Sequence, residues 1–248
     1  MEFISAQEIE RLIDYPSLIQ AIEAAFKSGV TAPMRHHHAV QKPGASDITL
    51  LLMPAWSDFS KLDASASGYI GVKMVTVAPD NGALEKPAIM GAYLLLNGKT
   101  GEPQAIIDGP SLTAFRTAAT SALAARFLAR PDAATHLVIG AGALSVPLAR
   151  AHRAVRPIRK TLFWNRTHSG ALAAAEKLRQ HGFEAEAIQE LDAGLRQADV
   201  ISSATLSKAP LVRGHELKSV AQGELVGGGV AHGGGRNNTT KLRSRISP

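Results

Sequence analysis

Two glycines after a short apolar segment mark the part of this chain best suited to bind a ligand. Gly140 and Gly142 follow the segment His136–Ile139, and a helical pattern begins at Ala143. In a strand–turn–helix unit the first glycine permits a tight turn, the second lets a pyrophosphate approach the backbone, and the helix N-terminus offers unpaired N–H groups. Ser145 takes the place of the usual third glycine. The pattern in this context predicts a dinucleotide site, whose loop residues are Gly140, Gly142, Ala143 and Leu144.

The residues after the next strand-like segment bear on which dinucleotide is bound. An acidic residue about 20 positions beyond the glycines commonly holds the ribose hydroxyls of NAD. Here that segment ends in Asn165-Arg166-Thr167, which contains no acid. A guanidinium with amide and hydroxyl groups suits a 2′-phosphate, although a solvent-exposed turn would explain the same residues. We expect NADP(H) to be preferred, with NAD(H) as the alternative cofactor.

Three cations earlier in the chain could bind a carboxylate. Lys73 interrupts the apolar segment 71–77, where it either lies on an exposed edge strand or faces a cleft. Arg116 is the single charged residue of the Ala-rich stretch 112–119 and must reach an anion or water, because burying an unpaired guanidinium is prohibitive. Arg35, which precedes a histidine triplet, is the third. Together they could clamp the carboxylate of a small substrate.

The triplet His36–His38 invites a metal-binding interpretation. Three consecutive residues of an extended chain cannot comfortably turn their side chains toward one ion, so a solvated loop explains the triplet better. We therefore predict no metal site. The chain also lacks a Ser-His-Asp arrangement, an HExxH motif and a P-loop, and it has no cysteine for thiolate chemistry.

Composition and charge narrow the class of protein further. Hydrophobic residues make up 45% of the 248 positions, and no apolar run reaches the roughly 18–20 residues of a membrane-spanning helix. The net charge of +6 depends on four basic residues after Val226; without them 23 Lys+Arg residues accompany 21 Asp+Glu. Charge therefore gives no reason to expect a nucleic-acid surface on the folded part. A cytoplasmic protein without a signal peptide is expected.

The elements that must position these residues follow two different patterns. From Ser5, which begins a capping box, two helices precede short strand-like segments (47–55, 68–77, 91–97 and 104–108), the last two flanking a hairpin turn at 97–101. A long Ala-rich helix (112–130) follows, and then strand-like segments alternate with helices, as in parallel βαβ units. The sequence predicts an α/β protein: an α+β domain over residues 1–111 and a Rossmann-type domain over 112–226. The Gly- and Arg-rich tail, 227–248, is expected to be disordered.

Taken together, these segments resemble the ornithine cyclodeaminase/mu-crystallin family over about residues 1–226. The stretch 112–122, Leu-Thr-Ala-Phe-Arg-Thr-Ala-Ala-Thr-Ser-Ala, is the most specific part of the resemblance. The other segments that carry it are Gly71-Val-Lys-Met-Val75, Asn97-Gly-Lys-Thr-Gly-Glu-Pro103, Ile106-Ile-Asp-Gly109, the glycine loop, Trp164-Asn-Arg-Thr167 and Ala198-Asp-Val-Ile-Ser-Ser-Ala-Thr205.

The resemblance implies a substrate-binding and dimerising first domain joined to an incomplete Rossmann domain. It implies that Arg35, Lys73 and Arg116 hold the substrate α-carboxylate, and that Thr117 and the glycine loop line the cofactor phosphates. The remaining cofactor-binding residues expected are Asn165, Arg166, Thr167, Ala204 and Thr205. A homodimer and a small amino- or imino-acid substrate are expected as well, without membrane or nucleic-acid partners.

The function expected from the resemblance is hydride transfer between NAD(P)H and the nitrogen-bearing carbon of such a substrate, as in a ketimine reductase. One alternative is an ornithine cyclodeaminase, which uses NAD, but Gly229 occupies the position of its catalytic Asp. Another is a non-catalytic NADPH-binding protein of the crystallin kind. A third is an inactive product, because the family continues for several dozen residues where this chain has its Gly- and Arg-rich tail.

Overall fold

The computed structural model describes residues 1–63, 66–205, 207, 211–212, 214–218 and 221–225. The chain forms two compact units, one comprising Met1–Thr113 and a second beginning at Ala114. The predicted class is confirmed: a mixed α and β unit is followed by a unit built on a parallel sheet. Among the helices that the structure describes, none combines the length and the apolar composition needed to span a bilayer. The tail predicted to be disordered lies outside the described residues.

The first unit is built on a seven-stranded sheet. Its strands are β1 (Glu2–Ile4), β2 (Val30–Thr31), β3 (His36–Val40), β4 (Ile48–Ser57), β5 (Tyr69–Val77), β6 (Ile89–Asn97) and β7 (Pro103–Asp108). They lie in the order β1-β7-β6-β5-β4-β2, with β3 also paired to β4. All pairs are antiparallel except β1 with β7. Short 3₁₀ helices occupy Phe59–Lys61 and Pro79–Leu84.

Local signals account for the ends of the first unit's elements. Helix α1 (Ala6–Leu12) begins with the predicted capping box, in which the Ser5 hydroxyl accepts from the Glu8 N–H and the Glu8 carboxylate accepts from the Ser5 N–H. Helix α2 (Tyr15–Ser28) is capped by Asp14 and ends at Gly29, whose φ is +90°. The predicted hairpin between β6 and β7 is also present, and the Asn97 side chain accepts from the Lys99 and Thr100 N–H groups.

Two predictions for this half of the chain are wrong in detail, and one open alternative is excluded. The triplet His36–His38 forms exposed strand β3 and not a loop, because it pairs with Leu50–Leu52 of β4. Of the two alternatives for Lys73, the edge strand is excluded, since β5 is paired on both sides. The Ala-rich helix α3 (Gly109–Leu128) begins three residues before the predicted Leu112, because the Asp108 carboxylate accepts from the Ser111 N–H.

The second unit has a five-stranded parallel sheet with helices between its strands. Its further strands are β8 (Thr135–Ile139), β9 (Lys160–Trp164), β10 (Ala185–Ala187), β11 (Val200–Ser203) and β12 (Gln222–Leu225). Its further helices are α4 (Ser145–Arg153), α5 (His168–Gln180) and α6 (Leu191–Gln197), with a 3₁₀ turn at Gly214–Glu216. The strand order β10-β9-β8-β11-β12 is that of the Rossmann fold, with the reversal between β8 and β11.

Small and branched side chains fill the core of the second unit. One cluster packs Phe163 and Val138 of the sheet against the alanines and Leu178 of α5, and another packs Leu137 and Ile201 against Leu195 of α6. Alanines allow helices to approach a sheet closely, and helices on both faces explain why β11 is buried throughout and β8 is buried except at Thr135. This core fixes the carboxyl ends of the strands, from which the site loops emerge.

Candidate functional site

The glycine loop lies where a Rossmann fold binds its ligand, beside the reversal of strand order. Gly140 has φ +105°, and a Cβ on it would lie 2.4 Å from the carbonyl oxygen of Ala204, which follows β11. The Ala204 N–H donates to the Ile139 carbonyl at 2.8 Å, and the Gly140 N–H donates to the Trp164 carbonyl at 2.8 Å. A side chain at Gly140 would therefore force apart the ends of β8 and β11. The turn requires glycine for the fold itself.

Gly142 is a glycine for a different reason. A Cβ built on it would meet no atom within 4 Å, so the protein leaves open space above its backbone. Ser145 is buried, and its hydroxyl donates to the Gly142 carbonyl at 2.7 Å, which holds the loop in shape where the motif has a third glycine. Helix α4 begins at this residue, and Leu144 at its N-cap offers no side-chain hydrogen bond to the helix N–H groups. An exposed loop, open backbone and an uncapped helix fit a dinucleotide pyrophosphate.

The turn after β9 packs against this loop. The Asn165 amide donates to the Thr167 carbonyl at 3.0 Å. A Cβ on Gly170 of α5 would meet that amide nitrogen at 2.8 Å and the methyl group of Ala141 at 3.4 Å. Asn165 therefore lies next to the glycine loop, while Arg166 and Thr167 are exposed at the same turn. Among the described residues, Arg166 forms no ion pair.

The remaining residues predicted for the site lie on α3 and immediately after β11. Ala204 lies against Gly140, as described above, and Thr205 follows it and is partly buried. Arg116 is exposed on α3 and Thr117 is partly buried beside it; partial desolvation lowers the pKa of the Arg116 guanidinium. Their neighbour Phe115 contacts the Arg150 guanidinium of α4, 5.8 Å from the ring centroid. One side chain of α3 thus contacts the helix that begins at the glycine loop.

Strand β8 begins at a buried carboxylate. Asp199 accepts hydrogen bonds from the Ala134 and Thr135 N–H groups, both at 3.0 Å, and from Arg130 and Lys218. Burial opposes ionisation of this carboxyl, but the hydrogen bond from Lys218, those from the two backbone N–H groups, and the Lys218 charge outweigh it and hold the pKa of Asp199 at about 2. The ionised carboxylate therefore fixes the start of β8, the strand that leads into Gly140.

A buried polar network lies behind the loop, between the sheet and α4. His152 Nδ1 donates to the Leu148 carbonyl at 2.8 Å, and its Nε2 is 3.1 Å from a Glu224 carboxylate oxygen. A proton on each ring nitrogen would suit both acceptors, so the surroundings of His152 favour the imidazolium form. Burial opposes this charge, yet the Glu224 charge and hydrogen bond and the Leu148 carbonyl prevail and raise the pKa of His152. The carboxyl of Glu224 is stabilised in return by His152 and Ser202, which lower its pKa despite burial.

The second histidine of the network is neutral. The Ser202 hydroxyl donates to Glu224 at 2.6 Å and so accepts from His136 Nε2 at 2.8 Å. Burial first, and then the charge of His152 with its ring centroid 4.4 Å away, lower the pKa of His136 well below its ordinary value. The network joins β8, β11, β12 and α4, and so fixes the helix whose N-terminus forms the glycine loop.

The register of the first sheet, continued by one residue before β3, would align two of the three predicted cations. Lys73 pairs with Met53 of β4, and paired residues of antiparallel strands share a face. Arg35 precedes β3 by one residue, so continuing the register of β3 places it opposite Met53 on the other side. Strands are about 4.8 Å apart, which puts the backbones of Arg35 and Lys73 about 10 Å apart in one row. Their long side chains can therefore reach one carboxylate.

A residue that sequence reasoning missed extends this row. Tyr93 of β6 pairs with Lys73, and a Cβ on Gly71 would lie 1.8 Å from the Tyr93 hydroxyl oxygen. The phenol thus occupies the place of a side chain at Gly71, two residues from Lys73 and on the same face. Only the strand register reveals that Tyr93 shares a face with Lys73, since aromatic residues are common in strands. In the part of the chain that the structure describes, no group of three or more His, Asp or Glu side chains is placed to hold a metal ion.

The fold and the glycine loop define the class of protein: a Rossmann-type dinucleotide-binding protein with an antiparallel-sheet unit before the nucleotide-binding unit. The ornithine cyclodeaminase/mu-crystallin family model matches residues 1–246, and the chain belongs to that family. The resemblance predicted from the sequence is thereby confirmed, and the match extends beyond the predicted limit at residue 226.

Two curated relatives and one solved structure give the match more detail. Protein SAR DEFICIENT 4 of Arabidopsis thaliana is 36% identical over 91% of this chain and 69% of its own length. Delta(1)-pyrroline-2-carboxylate reductase of Colwellia psychrerythraea is 28% identical over 99% of this chain and 76% of its own. The Thermococcus litoralis Delta(1)-pyrroline-2-carboxylate reductase in complex with NADH and L-proline superposes with a TM-score of 0.78 at 28% identity, covering 92% of this chain and 69% of that one.

Proposed function

We propose that this protein is an NAD(P)H-dependent reductase of small cyclic imino acids, with Δ1-pyrroline-2-carboxylate as the reference substrate. The observation that carries the proposal is the open backbone at Gly142, which leaves room for a dinucleotide in a chain whose first sheet aligns two cations. We assign substrate binding and dimerisation to residues 1–111 and cofactor binding to residues 112–226. The names of the relatives support a reductase over a cyclodeaminase.

The proposed reaction converts the imino acid, NADPH and a proton into the cyclic amino acid and NADP⁺. The reduced nicotinamide supplies the hydride that forms the new C–H bond, and the proton is added to the imine nitrogen. Lys73 and Arg35 neutralise the substrate carboxylate and fix its orientation, and Arg116 is proposed as the third cation of the clamp. Orienting the reacting carbon in this way can account for a large share of catalysis.

The experiment follows absorbance of the reduced nicotinamide after Δ1-pyrroline-2-carboxylate is added to protein and NADPH. Substrate-dependent oxidation with formation of proline is expected. Lys73→Met should lower kcat/KM about tenfold to hundredfold, as expected when a hydrogen bond to a charged group is lost, while Lys99→Met in the exposed hairpin should not. Binding of NADPH without turnover would instead indicate a non-catalytic protein of the crystallin kind, and ammonia release from ornithine would indicate a cyclodeaminase.

We also propose that NADPH binds more tightly than NADH. Arg166 is exposed at the turn beside the glycine loop, and Asn165 and Thr167 add polar groups without an opposing acid. A charge-assisted hydrogen bond to the 2′-phosphate should favour NADPH by about 1–3 kcal/mol. The substitution Arg166→Ala should abolish the preference for NADPH, whereas Arg159→Ala, at the other end of the same strand, should keep it. Fluorescence titrations with NADPH and NADH measure both variants. Equal affinities in the unmodified protein would contradict the proposal.

A homodimer formed through the first sheet is proposed on a separate observation. Phe3 and Met74 lie on the face opposite Lys73, as does Met90, and each side chain remains 46% exposed or more in the single chain. An accessible apolar sheet face of this kind is typical of a subunit interface. Sedimentation at micromolar concentration should give a dimer, and Met74→Asp should shift it toward monomer.

A further inference from the structure

We infer that Tyr93 is a further substrate-binding residue, whose phenol O–H donates a hydrogen bond to the carboxylate held by Lys73 and Arg35; this rests on the proposed function. The row Met53, Lys73 and Tyr93 crosses β4, β5 and β6 on one face of the first sheet, and the register of β3, continued by one residue beyond His36, would place Arg35 at the other end of this row. Tyr93 is therefore the next side chain beyond Lys73 in the direction away from Arg35. A carboxylate bound to this row would have a cation on one side and the phenol on the other.

The direction of the Tyr93 side chain supports this role. Its hydroxyl oxygen lies over Gly71, at a position that any other residue would fill with its own Cβ. Because Gly71 and Lys73 are two positions apart in β5, both face the same side of the sheet. The glycine thus leaves space for a hydroxyl on the Lys73 face, and not merely for a larger core side chain.

The chemistry of the phenol suits a donor and not an acceptor. Partial burial raises the pKa of Tyr93 above its ordinary value, so the hydroxyl keeps its proton at neutral pH. A neutral donor beside two cations adds a directed hydrogen bond to the carboxylate without adding charge. The same donor would form a weaker hydrogen bond to the neutral carbonyl of an amide analogue than to the charged carboxylate.

The test compares Tyr93→Phe with the unmodified protein and with Tyr69→Phe. Tyr69 lies at the start of β5, pairs with Asn97 and is 58% exposed, so it is a matched control for loss of a phenol oxygen. Tyr93→Phe should raise the KM for Δ1-pyrroline-2-carboxylate about tenfold or more with little change in kcat, as expected for lost uniform binding to a charged group. Tyr69→Phe should leave both constants unchanged.

A binding measurement separates this role from a structural one. In the presence of NADP⁺, the affinity for L-proline should fall about tenfold in Tyr93→Phe, while the affinity for pyrrolidine, which has no carboxyl group to accept the hydrogen bond, should stay the same. Equal losses for both ligands, a fall in kcat alone, or no change would overturn the inference. Absence of turnover in the unmodified protein would instead remove the proposed function itself, so the two failures are distinguishable.

Discussion

The two sheets of this protein bury their strands to very different extents. In the second unit β11 is buried throughout, and β8 is buried except at Thr135. In the first unit every residue of β4 is only partly buried, and every residue of β3 is exposed. A parallel sheet covered by helices on both faces has a core of its own, whereas an antiparallel sheet can keep one face accessible. We therefore expect the second unit to contribute most of the stability of the fold, while the first unit keeps accessible surface for binding.

The strongest test of this contrast removes a large side chain from each unit. Phe163 of β9 is fully buried and packs against α5, so Phe163→Ala should lower the free energy of unfolding of the second unit by about 3–5 kcal/mol. Phe26 of α2 is 71% exposed, and Phe26→Ala should change the free energy of unfolding by about 0.5 kcal/mol or less. Chemical denaturation measures both. Similar losses in the two variants would contradict the contrast.

A second prediction concerns the carboxylate at the start of β8. Asp199 has its pKa lowered from 3.8 to about 2, so it stabilises the fold by about 2 kcal/mol at neutral pH. This contribution is complete above the unfolded pKa of 3.8 and is lost as pH falls through the folded pKa. Asp199→Asn should therefore be destabilising at pH 7 and nearly neutral near pH 2.

The matched control for Asp199 is Asp132, which also pairs with Arg130 but is largely exposed. Asp132→Asn should cost less than about 1 kcal/mol at either pH, because exposed ion pairs contribute little. Unfolding by urea at several pH values compares the two. An equal effect of both variants would show that Asp199 is not the residue that holds the strand.

The buried histidine pair predicts stability that falls on both sides of neutral pH. The raised pKa of His152 stabilises the fold fully below the unfolded value of 6.5, and this is lost as pH rises through the folded pKa. The lowered pKa of His136 has the opposite effect. Below pH 6.5 the unfolded chain binds a proton that the folded chain does not, so the stability of the fold decreases as the pH falls. Each histidine can contribute a slope of at most about 1.4 kcal/mol per pH unit.

The pH dependence of stability therefore has an alkaline limb, due to His152, and an acidic limb, due to His136. Two variants separate these limbs. The double variant His152→Gln with Glu224→Gln replaces the ion pair by amides and should flatten the alkaline limb. His136→Asn should flatten the acidic limb between its folded pKa and 6.5. Thermal unfolding across pH 5–9 follows both effects. An alkaline limb that survives the double variant would mean that another group titrates there.

The smallest expected effect lies on the accessible face of the first sheet. Met74→Ala removes a side chain that is 46% exposed, so the stability of the isolated chain should change by less than about 1 kcal/mol. Dimer dissociation should be the sensitive quantity, measured by sedimentation over a range of concentrations. A large loss of stability without a change in association would show that this face is part of the first unit's own core.

Features with local causes could be predicted from the sequence, and those that depend on strand pairing could not. The glycine loop, the capping box at Ser5 and the hairpin after Asn97 each depend on residues within a few positions of one another. Strand β3 was missed because its histidines carry no apolar alternation and are held by β4. Strand β1, with three residues, is too short to give a periodic signal.

The same distinction between local causes and strand pairing applies to the residues of the candidate site. The motif identified Gly140 and Gly142, but only the backbone geometry shows that one glycine serves the turn and the other leaves open space. Lys73 was identified by its charge in an apolar segment, yet its central position and its row with Arg35 and Tyr93 required the register of β4, β5 and β6. Pairing between distant segments is a tertiary property that composition and spacing do not contain.

The most direct test of the account compares substitutions at the two glycines of the loop. Gly142→Val should leave the thermal unfolding temperature nearly unchanged, because nothing lies within 4 Å of the new Cβ, but it should abolish NADPH binding by filling the space proposed for the pyrophosphate. Gly140→Val should destabilise the protein, since its Cβ would meet Ala204 and its φ is +105°. Fluorescence titration and thermal unfolding of both variants decide the matter. Tight NADPH binding by a folded Gly142→Val protein would contradict the account.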